Sequence, residues 1–139
     1  MQTPFVEFQA NAGNPNYSRN LFSRLDAMSG FLDVLGRQTG RLMQLGLEPE
    51  PFGHFHDTDG AIRFFNGLRN RSRRPELIER HLGLTYDTCH FAILREEPEF
   101  TLSAWEENNI ALCKVQFSNA LECRICGEED LERDRKSVV

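Results

Sequence analysis

The sequence predicts an α/β fold: a partial (β/α) barrel of TIM type, with parallel strands joined by crossover helices. Three observations predict it. Apolar spacing switches repeatedly between a helical and a strand-like period. The order is helix, strand, helix, strand, helix, strand, which implies parallel pairing through right-handed crossovers. Each strand-like run also ends in groups suited to a hard cation or a proton: Glu48 in LEPEP, Asp87 and His90 in YDTCH, and Gln116 in KVQFS. Polar groups gathered at one end of successive strands are how a barrel builds a site.

Near the start, PFVEFQA alternates like a strand around Phe5, and NAGNP follows as a turn-forming cluster. From Tyr17 to about Gln38 the spacing is helical, with Leu21, Leu25, Met28, Leu32 and Leu35 on one stripe. Ser18 is the expected N-cap and Gly40 the expected stop. Leu42 to Glu48 reads as a buried strand closed by Pro49 and Pro51. A helix follows from about Thr58, capped by Asp57 or Thr58, with Ala61, Ile62, Phe65 and Leu68 inward. Pro75 opens a short helix at a position where proline is tolerated. Leu82 to Thr88 is the second strand. After a polar loop from Arg95 to Pro98, a short helix carries Phe100, Leu102 and Trp105, and Asn108 and Asn109 suit its left-handed end. Ile110 to Phe117 is the third strand. Residues 1–121 are the expected barrel domain, and 122–139 the expected polar, disordered tail.

Side chains alternate across a strand. Gln44, Gly46 and Glu48 therefore share one face of the first strand, opposite Met43, Leu45 and Leu47. Gly83, Thr85 and Asp87 oppose Leu82, Leu84 and Tyr86. Leu112, Lys114 and Gln116 oppose Cys113, Val115 and Phe117. One face is apolar enough to lie under helices. The other is small or polar and ends in the candidate site, as a barrel interior would.

With 139 residues the chain reaches only about half of the ~250 that a closed (β/α)₈ barrel needs. A sheet of this size has raw edges, for which a second copy is the expected cover. A net charge of −5 argues against nucleic acid as a main partner. The one basic cluster, Arg69, Arg71, Arg73 and Arg74, reads as a solvated loop. No run approaches the ~18 apolar residues of a membrane span, and no secretory leader is visible. Four cysteines without scaffold spacing fit reduced thiols in a cytoplasm.

LGLEPEPFG, HLGLTYDTCHFAI and IALCKVQFSNAL, in that order, resemble the xylose isomerase-like TIM barrels, the sugar-phosphate isomerase/epimerase superfamily. Within it they are most similar to the EboE-type proteins of bacterial metabolite-traffic gene clusters. The resemblance runs from about Asp33 to Leu121. It implies a divalent metal (Mn, Mg or Zn) held by Glu48, Asp87 and Gln116. It implies a catalytic role for Glu48, as acid/base, and for His90, which would face the substrate or the metal. Gln116 stands where many members carry a metal-binding histidine, and an amide oxygen there suits a hard cation better than zinc. A later glutamate ligand of the family has no counterpart, so the expected site is incomplete and the chain reads as a truncated or fragmentary barrel.

The implied reaction is proton abstraction beside a carbonyl of a sugar or sugar-phosphate-like metabolite, with the metal stabilising an enediolate. Epimerisation would also need a second base, which is not visible. The residues admit plainer roles. Asp87 could cap the following turn, His90 could be structural, and Gln116 could steady a neighbouring carboxylate. Lys114 could pair with Asp87 or Glu48. His54 and His56 form an H-x-H pair, and Cys123 and Cys126 a lone C-x-x-C without further ligands. Cys89 has no base placed to make it a nucleophile. The alternative function is a non-catalytic domain that binds a metabolite or a protein. A metal-dependent phosphodiesterase on the same barrel is disfavoured by charge and missing ligands.

Overall fold

A computed structural model describes residues 15–51 and 53–119. It is a mixed α/β structure. The elements are α1 (Pro15–Thr39), β1 (Leu45–Leu47), α2 (Thr58–Arg71), α3 (Pro75–His81), β2 (Leu82–Asp87), α4 (Thr88–Leu94), α5 (Pro98–Glu107) and β3 (Ala111–Gln116). The three strands form one parallel sheet in the order β1-β2-β3. The strand expected near Phe5, the tail from 122, and Cys123 and Cys126 lie outside the described residues.

The α1 helix starts at Pro15, so Ser18 is inside it rather than capping it. Of the expected stripe, Leu25 is buried and Leu21 and Leu32 pack partly against the core, but Met28 does not. Phe22, Leu25 and Ser29 face the core, while Met28 is 42% exposed. Phe22 meets Phe64 of α2 edge-on at 5.3 Å, which widens the buried face toward Phe22 and Ser29. Gly40, at φ +69, ends the α1 segment in the left-handed region glycine tolerates. Asp57 caps α2, its Oδ1 accepting from Gly60 N–H at 2.6 Å. The buried side of α2 is Ala61, Phe64, Phe65 and Leu68, with Ile62 partly covered.

Arg69 departs from the solvated role expected of its cluster. Its side chain is half-buried, lies 3.3 Å from Glu79, and donates to the Asn108 and Asn109 carbonyls at 2.8 and 2.7 Å. It thus ties α2 to the left-handed turn after α5, where Asn109 has φ 54.

Every residue of β2 is buried. Leu82, Leu84 and Tyr86 point under the helices, where Tyr86 stacks on Phe91 at 4.5 Å and meets Trp105 edge-on. The opposite face is lined by Gly83, Thr85 and Asp87. It is tightly closed. A Cβ on Gly46 would lie 3.1 Å from that of Cys113, although β2 separates their strands. A flat sheet would hold those positions roughly 10 Å apart. The sheet is therefore sharply curled, and the two glycines permit it: a Cβ on Gly83 would sit 2.3 Å from the Ala111 carbonyl oxygen.

The register of β3 differs from simple alternation. Leu84 pairs with Leu112 and Thr85 with Lys114, so Cys113 is a bulge residue. Leu112 consequently shares the face of Leu84, not that of Lys114 and Gln116, while Cys113 packs toward the glycines. Beyond the bulge, Lys114 and Gln116 fall on the Thr85 and Asp87 face, as the alternation required. Val115 is 40% exposed and Phe117 89% exposed. Among the described residues, nothing pairs with the outer edge of β1 or β3.

Candidate functional site at the strand ends

The C-terminal ends of the three strands bring the predicted residues together. Glu48 follows β1 directly, Asp87 ends β2, and Gln116 ends β3 beside Asp87. His90 sits in the first turn of α4, a helix the periodicity missed. With seven residues and one buried side chain, Phe91, it offers no stripe. Its signals are at its ends: Asp87 as N-cap and Arg95 in the left-handed region at φ 58.

Asp87 is the hub. It is 3% exposed. Its Oδ1 accepts from Cys89 N–H at 3.0 Å and from the Ser118 hydroxyl, and its Oδ2 from the Gln116 amide at 2.6 Å. Burial alone would raise this carboxyl. The hydrogen bonds from Ser118, Cys89 and Gln116 outweigh it and bring the pKa from 3.8 down to about 2. Ser118 is held in turn by Thr88: its N–H donates to the Thr88 hydroxyl, which donates to the Ser118 carbonyl. This clamp joins the end of β3 to the start of α4.

Lys114 fixes the Gln116 amide. Its ammonium donates to Gln116 Oε1 at 2.6 Å, so only the NH₂ end is left to face Asp87. As placed, Gln116 supports a carboxylate and turns no oxygen toward a cation beside Asp87. Lys114 itself is exposed and pairs with Gln116 rather than with either acid.

Glu48 Oε1 lies 3.6 Å from His90 Nδ1. Burial pushes the Glu48 carboxyl above its ordinary 4.5; His90 opposes the rise, Asp87 and Glu50 add to it, and Lys114 opposes it. The same His90 Nδ1 is 3.1 Å from the Pro49 carbonyl oxygen. A carbonyl only accepts, so Nδ1 carries a proton, and in the neutral ring Nε2 is then the nitrogen with a lone pair for a metal.

These atoms fit a divalent cation in part. A carboxylate offers about four acceptor positions. On Asp87 they are taken by Cys89 N–H, the Ser118 hydroxyl and the Gln116 amide, with the Cys89 thiol as a further, weaker donor that a cation would displace. His90 Nε2 has the correct tautomer, and Glu48 is half-buried beside it. Among the described residues, Asp87, Cys89 and His90 form a group whose ligand atoms all lie within 4.8 Å of one another. Cys89 and Ser118 carried no site role in the sequence; both sit within the flagged motifs, and only the fold turns them onto Asp87.

The remaining candidates lie elsewhere. His54 packs edge-on against Phe64 at 5.4 Å, and His56 lies 3.4 Å from Asp57, so the H-x-H pair belongs to the aromatic corner of α2. Glu50 is exposed, and its carbonyl accepts from Gly53 N–H in a turn. No described helix is long and apolar enough to cross a membrane.

Comparison with protein families, curated proteins and solved structures returns no match.

Proposed function

We propose that this chain carries a divalent-metal site at the strand C-termini of a partial TIM-type barrel, of the sugar-phosphate isomerase/epimerase kind. The single observation that carries the reading is convergence. Glu48, Asp87 and His90 come from two strand ends and the helix after β2, yet Glu48 lies 3.6 Å from His90, and His90 and Asp87 offer ligand atoms within 4.8 Å of each other. The sharp curl of the sheet and the motif resemblance support the barrel; the tautomer of His90 supports the metal.

The residues divide the work. Asp87, held ionised by three donors, and His90 through Nε2 would hold the cation, Glu48 adjoining them. Bound there, a divalent ion would supply Lewis-acid stabilisation of negative charge on a substrate oxygen. Glu48, with its pKa raised by burial, moves a proton between substrate carbons, because a carboxylate nearer neutrality both takes and returns protons readily. Gln116 and Ser118 keep Asp87 charged and still. Lys114, exposed at the rim, offers a cation for a phosphate or an oxyanion. A second copy against the open β3 edge belongs to the same proposal, and light scattering tests it.

Calorimetric titration with Mn²⁺, Mg²⁺ and Zn²⁺ tests the site. Binding that disappears in Glu48→Gln, Asp87→Asn supports it, and absence of binding removes the reading. Deuterium exchange beside the carbonyl of ketose and aldose phosphates, followed by NMR, tests the chemistry. A metal-binding chain that catalyses no exchange leaves the second reading, a metabolite- or protein-binding domain without turnover. The near-saturation of Asp87 by protein donors is the observation behind that second reading.

A further inference from the structure

The Cys89 thiol lies in the same cluster as the metal-binding candidates, where it lends a weak hydrogen bond to Asp87. It is half-exposed in the first turn of α4. Its ligand atom, one carboxylate oxygen of Asp87 and one ring nitrogen of His90 are mutually within 4.8 Å. That upper limit is little more than the ~4.4 Å spanned by one Zn–S and one Zn–N bond laid end to end. Both backbone anchors are already made: the Cys89 N–H is held by Asp87, and His90 is oriented by the Pro49 carbonyl.

The other thiol of the described residues has a different place. Cys113 is packed into the curled sheet against Gly46 and Gly83, and burial pushes its thiol pKa up. It is a small core residue. Cys89 instead sits at the open end of the strands, where a ligand can arrive.

We infer that Cys89 is a thiolate ligand, with Asp87 and His90 Nε2, of a thiophilic divalent cation, Zn²⁺, Co²⁺ or Fe²⁺ in preference to Mg²⁺ or Mn²⁺. Binding exchanges the thiol proton, released to solvent, for the cation. Sulfur, nitrogen and oxygen donors together select the later first-row metals, because a thiolate adds little for a hard cation. Three protein ligands leave the fourth position for water or substrate, the pattern of catalytic rather than structural zinc. Glu48 then stays outside the ligand set and remains free to carry protons. This inference rests on the strand-end metal site proposed above and narrows which metal it takes.

Cobalt reports sulfur coordination directly. The parent for the test is the full-length chain with Cys123→Ser and Cys126→Ser, which removes the C-x-x-C pair as a competing thiolate site. Co²⁺ added to this parent is expected to give a near-ultraviolet thiolate-to-cobalt charge-transfer band. Further replacement of Cys89 by Ser abolishes the band and weakens Zn²⁺ by at least about tenfold, the smallest loss expected even for an outer-shell partner. Mg²⁺ affinity changes by less. His90→Gln, which leaves the thiol in place, also weakens Zn²⁺ and guards against a folding defect particular to the serine variant. Co²⁺ binding without the band, or a band that survives Cys89→Ser, overturns thiolate ligation while leaving the metal site standing. No binding of any of these ions overturns both.

Discussion

Asp87 and Gln116 meet in a way that makes an exchange of their chemistry informative. In the native pair an anionic acceptor faces an amide NH₂, and the amide oxygen faces the Lys114 ammonium. Asp87→Asn turns one acceptor into a donor. Cys89 and Ser118 can still share the remaining oxygen, but Gln116 then meets an NH₂ group. Rotating Gln116 only moves the conflict, because its NH₂ would face Lys114. Two donors, the one at position 87 buried, are left opposed, and the other bonds lose their charge. With unsatisfied donors costing about 1–3 kcal/mol, and charged bonds worth up to twice neutral ones, the expected loss is about 3 kcal/mol. Gln116→Glu alone places two carboxylates 2.6 Å apart and should cost about 2 kcal/mol, eased by Lys114. Together the two changes restore every pairing: the new amide donates to Glu, and Lys114 pairs with its charge. The double variant should therefore exceed additivity by at least about 2 kcal/mol, toward the upper end for residues in contact. Urea unfolding in the presence of a chelator measures this, read through Trp105, the one tryptophan in the chain and almost wholly buried. At slopes of about 1–3 kcal/mol per molar urea, the coupling shifts the midpoint by about 1 M. A double variant no more stable than the sum of the two single losses would refute the geometry of the hub.

Acid should unfold the chain through the same group. The folded Asp87 pKa lies near 2 against 3.8 ordinarily, so its contribution is complete above pH 3.8 and lost as pH falls through about 2. That step should vanish from the pH–stability curve of Asp87→Asn. Glu48 has the opposite sign. Its folded pKa is raised, so ionisation costs stability as pH climbs from 4.5 through the raised value. Glu48→Gln should melt no lower than the parent at neutral pH while lowering any proton-exchange rate by at least about a hundredfold; a clear drop in its melting temperature would contradict the burial argument. Gly83→Ala should cost about 3 kcal/mol, at the top of the range for overpacking, because the new Cβ meets a backbone carbonyl that cannot rotate away. A chemical denaturation midpoint within error of the parent would show that the sheet is less tightly curled.

Short-range physics made part of this legible in the residues. Periodicity reports which way neighbouring side chains point, and that located three strands, the longer helices and the apolar face of β2. It also put Asp87 and Gln116 side by side at strand ends and Glu48 just after the first strand, where they are found. Helix α4 escaped because one buried phenylalanine makes no period, and the part of Phe22 in the α1 face escaped because its partner Phe64 is more than forty residues away. The Cys113 bulge escaped because register is a property of two strands together.

The sequence by itself determined the α/β alternation and the residue types gathered at the strand ends, since both follow from local spacing. Only the tertiary structure decided what those residues do to one another. It chose the Gln116 amide orientation through Lys114, the His90 tautomer through the Pro49 carbonyl, and the charge of Asp87 through donors up to 31 residues away. It also placed Cys89 among them. Hydrogen-bond direction and metal-ligand distance depend on atoms brought together by folding, and no spacing along the chain encodes them.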